Sequence, residues 1–310
     1  MAVTSSTVRR ERNWTGRISA WALFLLTVGG IAATVLRQAQ SLAIESERPR
    51  LLDTRLPGGS LVIAGGGTVP AAVRERFVEL AGGPNARIVV IPASEPRPGD
   101  SERWLAPWKS CGALAVEICH APYRAAAHDP GFLACLEQAT GVWFGGGSQA
   151  LLAERYVDTA VERCLRELLE RNGAIGGNSA GAAILSRVMI AEGYDAPVEA
   201  RGLGLMPHAI VDQHFLRRNR FWRLQQMLQR HPDLVGLGVD EQTALVVRVR
   251  GRQLSVVGDS YVLACLPGSE GTPARVEVLR PGDNVSLDLL RREHLPYRPE
   301  FDWDEAMAGR

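Results

Sequence analysis

Residues 174–185 read AIGGNSAGAAIL and place a serine between a predicted strand and a predicted helix. Within this stretch, residues 177–181 spell G-x-S-x-G, the pattern of a sharp turn that projects a serine hydroxyl above the edge of a sheet. The turn strains the serine backbone, and the flanking glycines leave no Cβ to collide with the strand or the helix. Ser179 is therefore a candidate nucleophile, and the Ala180 amide a candidate oxyanion donor. The alternative, from these residues alone, is a serine that only caps a helix.

The segments around this turn predict an α/β fold. Apolar runs typical of strands buried on both faces occur at 61–64, 87–92, 113–118 and 141–144. Amphipathic helical patterns alternate with these runs, which predicts a doubly wound, mostly parallel sheet with helices on both faces. After about residue 243, glycine turns separate the β-rich runs ALVVRVRG, RQLSVVG and YVLACLPG. These runs predict antiparallel strands at one edge of the sheet.

The N-terminal region predicts a membrane-targeting segment. Residues 18–36 contain no charged side chain, and as a helix they rise ~28 Å, close to the thickness of a bilayer core. Four arginines precede them, which predicts a cytoplasmic N-terminus and a catalytic domain outside the cytoplasm. Two interpretations stay open: a retained signal anchor, which the length favours, or a signal peptide cleaved near residues 41–43 that releases a secreted or periplasmic protein.

The predicted organisation therefore has five parts. They are a basic cytoplasmic N-terminus (1–17), the membrane segment (18–36), a polar linker (37–58), a catalytic α/β domain (59–295) and a C-terminal tail (296–310).

The composition narrows the partners and cofactors. A net charge of +1 argues against nucleic acid as a partner. The five cysteines follow no metal-ligand spacing, so we predict no metal site and interpret them as small apolar residues. Pairing of Cys111 with Cys119 in an oxidising compartment stays open. The sequence leaves the oligomeric state open, a homodimer included.

A second glycine-rich turn follows the predicted strand at 141–144. Residues 144–149 read FGGGSQ and lead into a helical pattern. Because loops at the carboxyl ends of parallel strands meet at one edge of a sheet, we expect this turn beside Ser179. We interpret this glycine-lined turn as a second oxyanion donor and Gln149 as a substrate contact. The alternative is a phosphate loop, but neither glycine cluster contains the G-K-[ST] of a P-loop.

The candidate general base lies in residues 212–224, DQHFLRRNRFWRL. His214 follows a strand-like run and precedes several arginines. On the residues alone, these arginines belong either to a binding pocket or to an exposed helix face. Four motifs in order resemble the cyanophycinase-like serine peptidase family, peptidase family S51, which also contains aspartyl dipeptidases. They are G-G-x-Q, G-G-x-S-A-G, D-Q-H-F-x-x-R-x-R-x-x-R-L and, at 238–244, G-V-D-E-Q-T-A.

The resemblance implies a flavodoxin-like or class I glutamine amidotransferase-like fold and a site without metal or cofactor. It makes Ser179 the nucleophile, His214 the general base and Glu241 the acid that orients the imidazole. Gly147 and Ala180 would supply the oxyanion amides. The implied pocket residues are Gln149, Asp212, Gln213, Arg218, Arg220 and Arg223. The implied substrate is an aspartyl or arginyl peptide or a cyanophycin-like polymer, cut at a β-linked aspartyl–arginine bond, since guanidinium groups suit a carboxylate.

The chain departs from the family pattern at a few positions. Ser148 stands where the family commonly has aspartate, and Leu216 and Trp222 replace a small polar residue and a glycine. Trp222, beside Arg220 and Arg223, is expected to narrow the site. The alternatives are therefore an α-aspartyl dipeptidase, or a membrane-tethered protein that binds acidic peptides without catalysis.

Overall fold

The computed structural model describes residues 58–93, 101–250, 253–268, 274–286, 290, 295 and 300–308. All of them belong to the second of the two units into which the chain divides, Pro49–Arg310. The predicted membrane segment and nearly all of the linker lie outside these residues. Among the helices that are described, none has both the length and the apolar character needed to cross a bilayer.

Up to residue 183, helices lie between successive strands, as the sequence pattern predicts, whereas residues 188–213 and 235–286 each contain successive strands. The strands are β1 (Ser60–Ala64), β2 (Arg87–Ile91), β3 (Ala115–Ile118), β4 (Gly141–Phe144), β5 (Ala174–Asn178), β6 (Val188–Glu192), β7 (Val198–Arg201), β8 (Ala209–Gln213), β9 (Val235–Val239), β10 (Thr243–Arg248), β11 (Gln253–Gly258), β12 (Val262–Leu266), β13 (Arg275–Leu279) and β14 (Asn284–Ser286). The α-helices are α1 (Ala71–Leu80), α2 (Ser101–Lys109), α3 (Pro130–Gln138), α4 (Gln149–Tyr156), α5 (Ala160–Glu170), α6 (Ala180–Ala183), α7 (Phe221–Arg230) and α8 (Trp303–Ala308).

The central sheet confirms the predicted fold class. Its strand order is β14-β11-β10-β1-β5-β4-β2-β3. Strands β1, β5, β4, β2 and β3 pair in parallel, whereas β10, β11 and β14 add antiparallel strands at one edge. The sheet is thus mostly parallel with an antiparallel edge, as expected.

A second sheet departs from the expectation. Strands β13-β12-β9-β8 form a separate four-stranded sheet, in which only β8 and β9 are parallel. The run YVLACLPG was predicted at the edge of the central sheet, but its strand β12 pairs with β9 and β13 instead. A strand pattern specifies the strand and not its partner, so local sequence cannot separate the two placements.

Helices cover both faces of the central sheet. On one face, Phe77 of α1 and Trp108 of α2 pack on Trp143 of β4, with ring centroids 5.0 and 4.7 Å from it. Burying one such aromatic ring contributes roughly 1.5–3 kcal/mol relative to leaving it exposed. On the other face, helices α3–α6 bury a larger apolar cluster that includes Tyr156 and Leu165. Helix α6 contacts β5 on one side and β8 on the other, so it connects the two sheets.

The cysteines differ from the pairing that the sequence left open. Cys119, after β3, forms a disulfide with Cys135 of α3, and Cys111 is free and half-buried. The partner lies 16 residues away on a packed helix, a contact that spacing in the sequence does not reveal. Cys164 and Cys265 are buried and free, as small apolar residues would be. Burial raises the pKa of Cys265 to about 12, so this thiol is unreactive at neutral pH.

Candidate active site

Ser179 lies in a strained turn between β5 and α6. Its backbone has φ 55° and ψ −112°, which costs a residue other than glycine about 1–3 kcal/mol. A Cβ on Gly177 would lie 2.1 Å from the carbonyl oxygen of Gly181, and one on Gly181 would lie 2.1 Å from that of Phe144. Both glycines are therefore required by the close approach of helix to sheet, and their absent side chains let the turn expose the serine.

His214 comes to the same place from the second sheet. It follows β8 with φ 49°, and its backbone N–H donates to the Gly65 carbonyl at 2.6 Å. The ring Nε2 lies 2.8 Å from the Ser179 Oγ, and the residue is only 7% exposed. His214 follows β8 of the second sheet, so the imidazole reaches the serine from that sheet and not from a strand that neighbours β5.

Glu241 lies on the far side of the imidazole. Its Oε1 is 2.5 Å from the Nδ1 of His214, so Ser179, His214 and Glu241 form one continuous line of hydrogen bonds. If Nδ1 carries the proton that Glu241 accepts, Nε2 is left as an acceptor for the serine hydroxyl. The structure thus brings together the three residues that the resemblance assigned to catalysis.

A buried aspartate fixes the two turns that carry His214 and Glu241. The Oδ1 of Asp240 accepts from the backbone amides of Leu216 and Arg217 at 3.1 and 2.9 Å. Its Oδ2 accepts from the Ser260 hydroxyl at 2.7 Å. Carboxylates that accept several hydrogen bonds hold loops rigidly, because each bond lost would leave a buried charge unsatisfied. The sequence does not predict this role of Asp240, since its partners lie twenty or more residues away along the chain.

The turn Gly65–Gly67, which ends β1, holds the other side of the imidazole. The Gly66 carbonyl accepts from the Gln242 amide at 3.0 Å, and the Gly67 carbonyl accepts from the Asn178 side chain at 3.2 Å. A Cβ on Gly66 would lie 2.2 Å from Cε1 of His214. Three consecutive glycines directly after the predicted strand 61–64 are a visible signal in the sequence, but their contact with His214 depends on a distant segment and was not predicted.

Alanine at Gly66 is expected to lower kcat by about 100-fold, because displacing a catalytic group by roughly 1 Å costs about that much. The position also has φ 130°, which disfavours a side chain. The matched control is Gly83→Ala, where φ is 58° and a Cβ would meet nothing within 4 Å. The control should lose stability and keep its activity per folded molecule. A folded Gly66→Ala enzyme with the kcat of the wild type would contradict this role of the turn.

The second glycine turn lies beside the serine. A Cβ on Gly146 would be 3.5 Å from the Cβ of Ser179, and Gly147 has φ 149°. The Ala180 amide is the first of α6 and so has no acceptor within the helix. Ser148 caps α4 by accepting from the Leu151 amide at 3.3 Å. Serine and aspartate cap helices comparably well, so Ser148 preserves the local structure where the family commonly has aspartate.

The residues expected to line the pocket separate into a buried group and an accessible group. Asp212 and Arg223 are 1% and 4% exposed and pair through two hydrogen bonds, Nε–Oδ2 at 2.8 Å and Nη2–Oδ1. Arg223 also donates to the Gly193 carbonyl at 2.7 Å. These two residues use their polar groups on each other and on backbone. This geometry therefore favours a role in holding neighbouring residues in place over direct contact with a substrate.

The other pocket residues are closer to the surface or act on each other. Arg220 donates to the side chain of the buried Gln213, and to its carbonyl at 2.8 Å. Burial, opposed by Asp212, lowers the pKa of Arg220 to about 10, so it remains charged at neutral pH. Arg218 is exposed, and Gln149 is half-buried and donates to the Ile190 carbonyl at 3.1 Å.

Trp222 does not narrow this site as expected. Its side chain is 64% exposed and lines a separate groove with Cys265 and Arg275, on the outer side of α7. Neighbouring helix positions point about 100° apart, so Arg223 is directed inward while Trp222 is directed outward.

Comparison with known proteins identifies the family. The model of peptidase family S51 matches residues 61–256, more than half of the chain. The chain belongs to peptidase family S51. Among relatives of this S51 chain, the cyanophycinase of Trichormus variabilis is 32% identical over 277 residues, which cover 85% of this chain and 90% of the relative. The cyanophycinase of Thermosynechococcus vestitus is 37% identical over 224 residues, 69% of each chain.

A solved structure agrees with the fold. A peptidase from an acI-B1 Actinobacterium superposes with a TM-score of 0.55 at 26% identity. The match covers 74% of this S51 chain and 99% of that structure. The family, the flavodoxin-like fold and the general class of peptidase are thereby established.

Proposed function

We propose that this protein is a serine peptidase that hydrolyses aspartyl peptide bonds, β-linked aspartyl–arginine bonds above all, through an acyl-enzyme. The observation that carries the proposal is the hydrogen-bond line from the Ser179 Oγ through His214 to Glu241, with distances of 2.8 and 2.5 Å. Nucleophile, base and orienting acid in this geometry are the arrangement that activates a serine.

The mechanism follows from the geometry. Nε2 of His214 takes the proton of Ser179 as Oγ attacks the scissile carbonyl, and Glu241 stabilises the imidazolium that forms. The amides of Ala180 and Gly147 hold the tetrahedral oxyanion, and each lowers the barrier by about 3 kcal/mol. His214 then protonates the leaving amine, and a water molecule activated by the same base hydrolyses the ester on Ser179. The residues supply every proton transfer, so the proposal includes no metal or cofactor.

The substrate class is supported by the charge of the site and by the relatives. Arg218 is exposed and Arg220 stays charged near the catalytic histidine, so a substrate carboxylate has guanidinium groups to pair with. The two relatives described above carry the name cyanophycinase. We infer that the acid recognised by the arginines is the aspartyl residue of the scissile bond.

The direct test is to incubate purified cyanophycin, a polymer that contains β-linked aspartyl–arginine units, beside α-linked aspartyl dipeptides, with Ser179→Ala as the control. Free arginine reports cleavage of the β-linked bond, and β-aspartyl-arginine reports cleavage of the aspartyl bonds between the units. Hydrolysis of the polymer by the wild type alone supports the proposal. Cleavage of only the α-linked dipeptides would replace it with the α-aspartyl dipeptidase alternative. Tight binding without hydrolysis of either would instead indicate a binding protein for acidic peptides.

The pH dependence of the reaction follows from the environment of His214. Burial is the largest effect on its pKa and lowers it from the ordinary 6.5, while the hydrogen bond to Glu241 raises it and Arg218 lowers it. The base must be neutral, so a lowered pKa keeps it active to lower pH. We expect the acid limb of kcat/KM to lie below pH 6.5.

The variant Glu241→Gln tests whether Glu241 orients His214 and raises its pKa. It removes the main effect that raises the pKa, so the limb should move to still lower pH, while kcat falls by about 10³–10⁴-fold through loss of the correct tautomer. The measurement is the pH profile of kcat/KM for both proteins. A limb centred above pH 6.5 in the wild type would contradict burial as the largest effect on the pKa of His214. A limb that rises in the variant would contradict the role of Glu241.

We also propose that the catalytic domain acts outside the cytoplasm, retained by residues 18–36 as an anchor or released by cleavage. The uncharged segment and the arginines before it support this location. The disulfide between Cys119 and Cys135 supports it independently, because such bonds persist mainly in oxidising compartments. A fusion at Arg310 to a reporter enzyme that works only after export should be active. Activity only with a reporter that requires the cytoplasm would refute the topology.

A further inference from the structure

A cavity that the mechanism does not use adjoins the catalytic turn. It has a volume of about 370 Å³, and its inner end is formed by Gly67, Gly146 and Asn178. Asn178 directly precedes the nucleophile, and a Cβ on Gly146 would lie 3.5 Å from that of Ser179. The cavity therefore begins within one residue of the reacting atom and leads away from it toward α1 and α2.

Among the described residues, the outer wall of the cavity carries two positive charges and no carboxylate. Arg74 and Arg103 line it, and none of its other lining residues is ionisable. Arg74 donates one N–H to the Val69 carbonyl, while its buried Nε has no partner in the described part of the chain. Neither arginine forms an ion pair within the residues that the structure describes. Two guanidinium groups on one concave wall without a counter-charge create a site that favours an anion.

The remaining walls are aromatic. The Trp104 ring lies so close to Gly145 that a Cβ there would be 2.8 Å from it. Behind it, the rings of Trp108 and Trp143 are tilted against each other with centroids 4.7 Å apart. Apolar walls lower the local dielectric, so a charge-assisted hydrogen bond to the half-buried Arg74 is stronger than one at an open surface, whereas Arg103 is exposed at the outer end.

This cavity lies on the opposite face of the central sheet from the arginines that follow His214. Helices α1 and α2 cover the face with Arg74 and Arg103, whereas α6 and the second sheet cover the face with Arg220. The serine lies at the sheet edge between the two groups. A peptide that crosses Ser179 in an extended conformation can therefore place one carboxylate in each group.

We propose that the cavity of Arg74, Arg103 and Trp104 is a second carboxylate-binding subsite for the same peptide substrate. The subsite makes the enzyme select peptides that carry a carboxylate on both sides of the scissile bond. In a β-linked aspartyl–arginine unit, the carboxylate on the far side is the α-carboxylate of the arginine. The inference rests on the proposed peptidase function and extends it from one recognised acid to two.

Matched peptides test the subsite with the full-length chain. Each pair differs only in one carboxylate, an aspartate side chain or the C-terminus, replaced by its amide, and kcat/KM is measured for each. In the wild type, one of these carboxylates should lie across the scissile bond from the aspartyl residue. Its replacement by the amide should lower kcat/KM about tenfold, the value of one charge-assisted hydrogen bond. In Arg103→Gln and Arg74→Gln the same amidation should cost less than about twofold, with the rate on the amide unchanged.

Arg76→Gln is the control, because Arg76 belongs to α1, pairs with Glu79 and does not line the cavity. It should keep the full preference of the wild type. An amidation cost that is the same in Arg103→Gln and Arg74→Gln as in the wild type would overturn the subsite. An equal loss of kcat/KM on the carboxylate and the amide of every pair in these two variants would also overturn it, because a purely structural role gives that result.

A binding measurement separates failure of the subsite from failure of the proposed function. In Ser179→Ala, an aspartate-rich peptide should quench the tryptophan fluorescence of the cavity, and its amidated partner should bind about tenfold more weakly. Adding Arg103→Gln should abolish that difference. If no peptide is hydrolysed by the wild type, this difference alone still supports the subsite. If the wild type hydrolyses peptides but Arg103→Gln does not change the binding difference, the subsite is overturned and the peptidase proposal is left intact.

Discussion

Alanine at Ser179 or at His214 is expected to lower kcat by about 10⁵–10⁶-fold, and the double variant should be no slower than either single variant. The serine is nucleophilic only when the imidazole takes its proton, and the imidazole has no other task when the serine is absent. The residual rate should come from the oxyanion amides and from substrate positioning. Steady-state kinetics on an aspartyl peptide, with each variant checked for native circular dichroism, measures the effect.

His231→Ala is the matched control. His231 also pairs with a glutamate, its Nε2 lying 2.7 Å from Glu199, but no serine completes the line. It should retain wild-type kcat. Multiplicative losses in the double variant of Ser179 and His214 would show that the two residues act separately and would contradict the proposed catalytic unit.

Methionine at Arg223 is expected to reduce the free energy of unfolding by about 3–5 kcal/mol, because removing one partner leaves a buried charge uncompensated. The charge in question is Asp212, 1% exposed and bonded to Arg223 through both carboxylate oxygens. Arg220 lies 3.7 Å from the same carboxylate and compensates part of the loss, which places the effect toward the lower end of that range. Urea unfolding of the full chain measures it.

A paired substitution distinguishes a broken ion pair from lost packing. Asp212→Leu combined with Arg223→Met removes both charges and should recover most of the stability that Arg223→Met loses, since apolar replacements of buried pairs are often neutral. The exposed Arg217→Met should change stability by less than about 0.5 kcal/mol. If the free energy of unfolding of Arg223→Met lies within about 0.5 kcal/mol of the wild-type value, the ion pair contributes little to stability.

The parts of the fold that follow from short stretches of chain were predictable. Buried runs such as 61–64 and 141–144 became parallel strands, because their side chains are apolar on both faces and helical patterns separate them. The turn at Ser179 was also predictable, because the serine and the two glycines that the turn requires lie within five consecutive residues.

Features that depend on distant parts of the chain were not predictable. Sequence spacing does not show that β12 pairs with β9, or that Cys135 lies against Cys119. The arginines after His214 appeared equivalent in the sequence, yet Arg223 is buried against Asp212 while Arg218 is exposed. Arg218 lies in the turn before α7, whereas Arg223 lies on the face of α7 that packs on the second sheet, and tertiary structure decides both placements.

The most direct measurement of the central claim is the mass of the peptide that contains Ser179, after a reaction with substrate is quenched in acid within milliseconds. An acyl-enzyme mechanism predicts a mass increase equal to the acyl part of the substrate, formed together with a burst of the leaving amine and no more slowly than kcat. The adduct should be absent in His214→Ala. The absence of any adduct on Ser179, together with undiminished turnover by Ser179→Ala, would contradict the account.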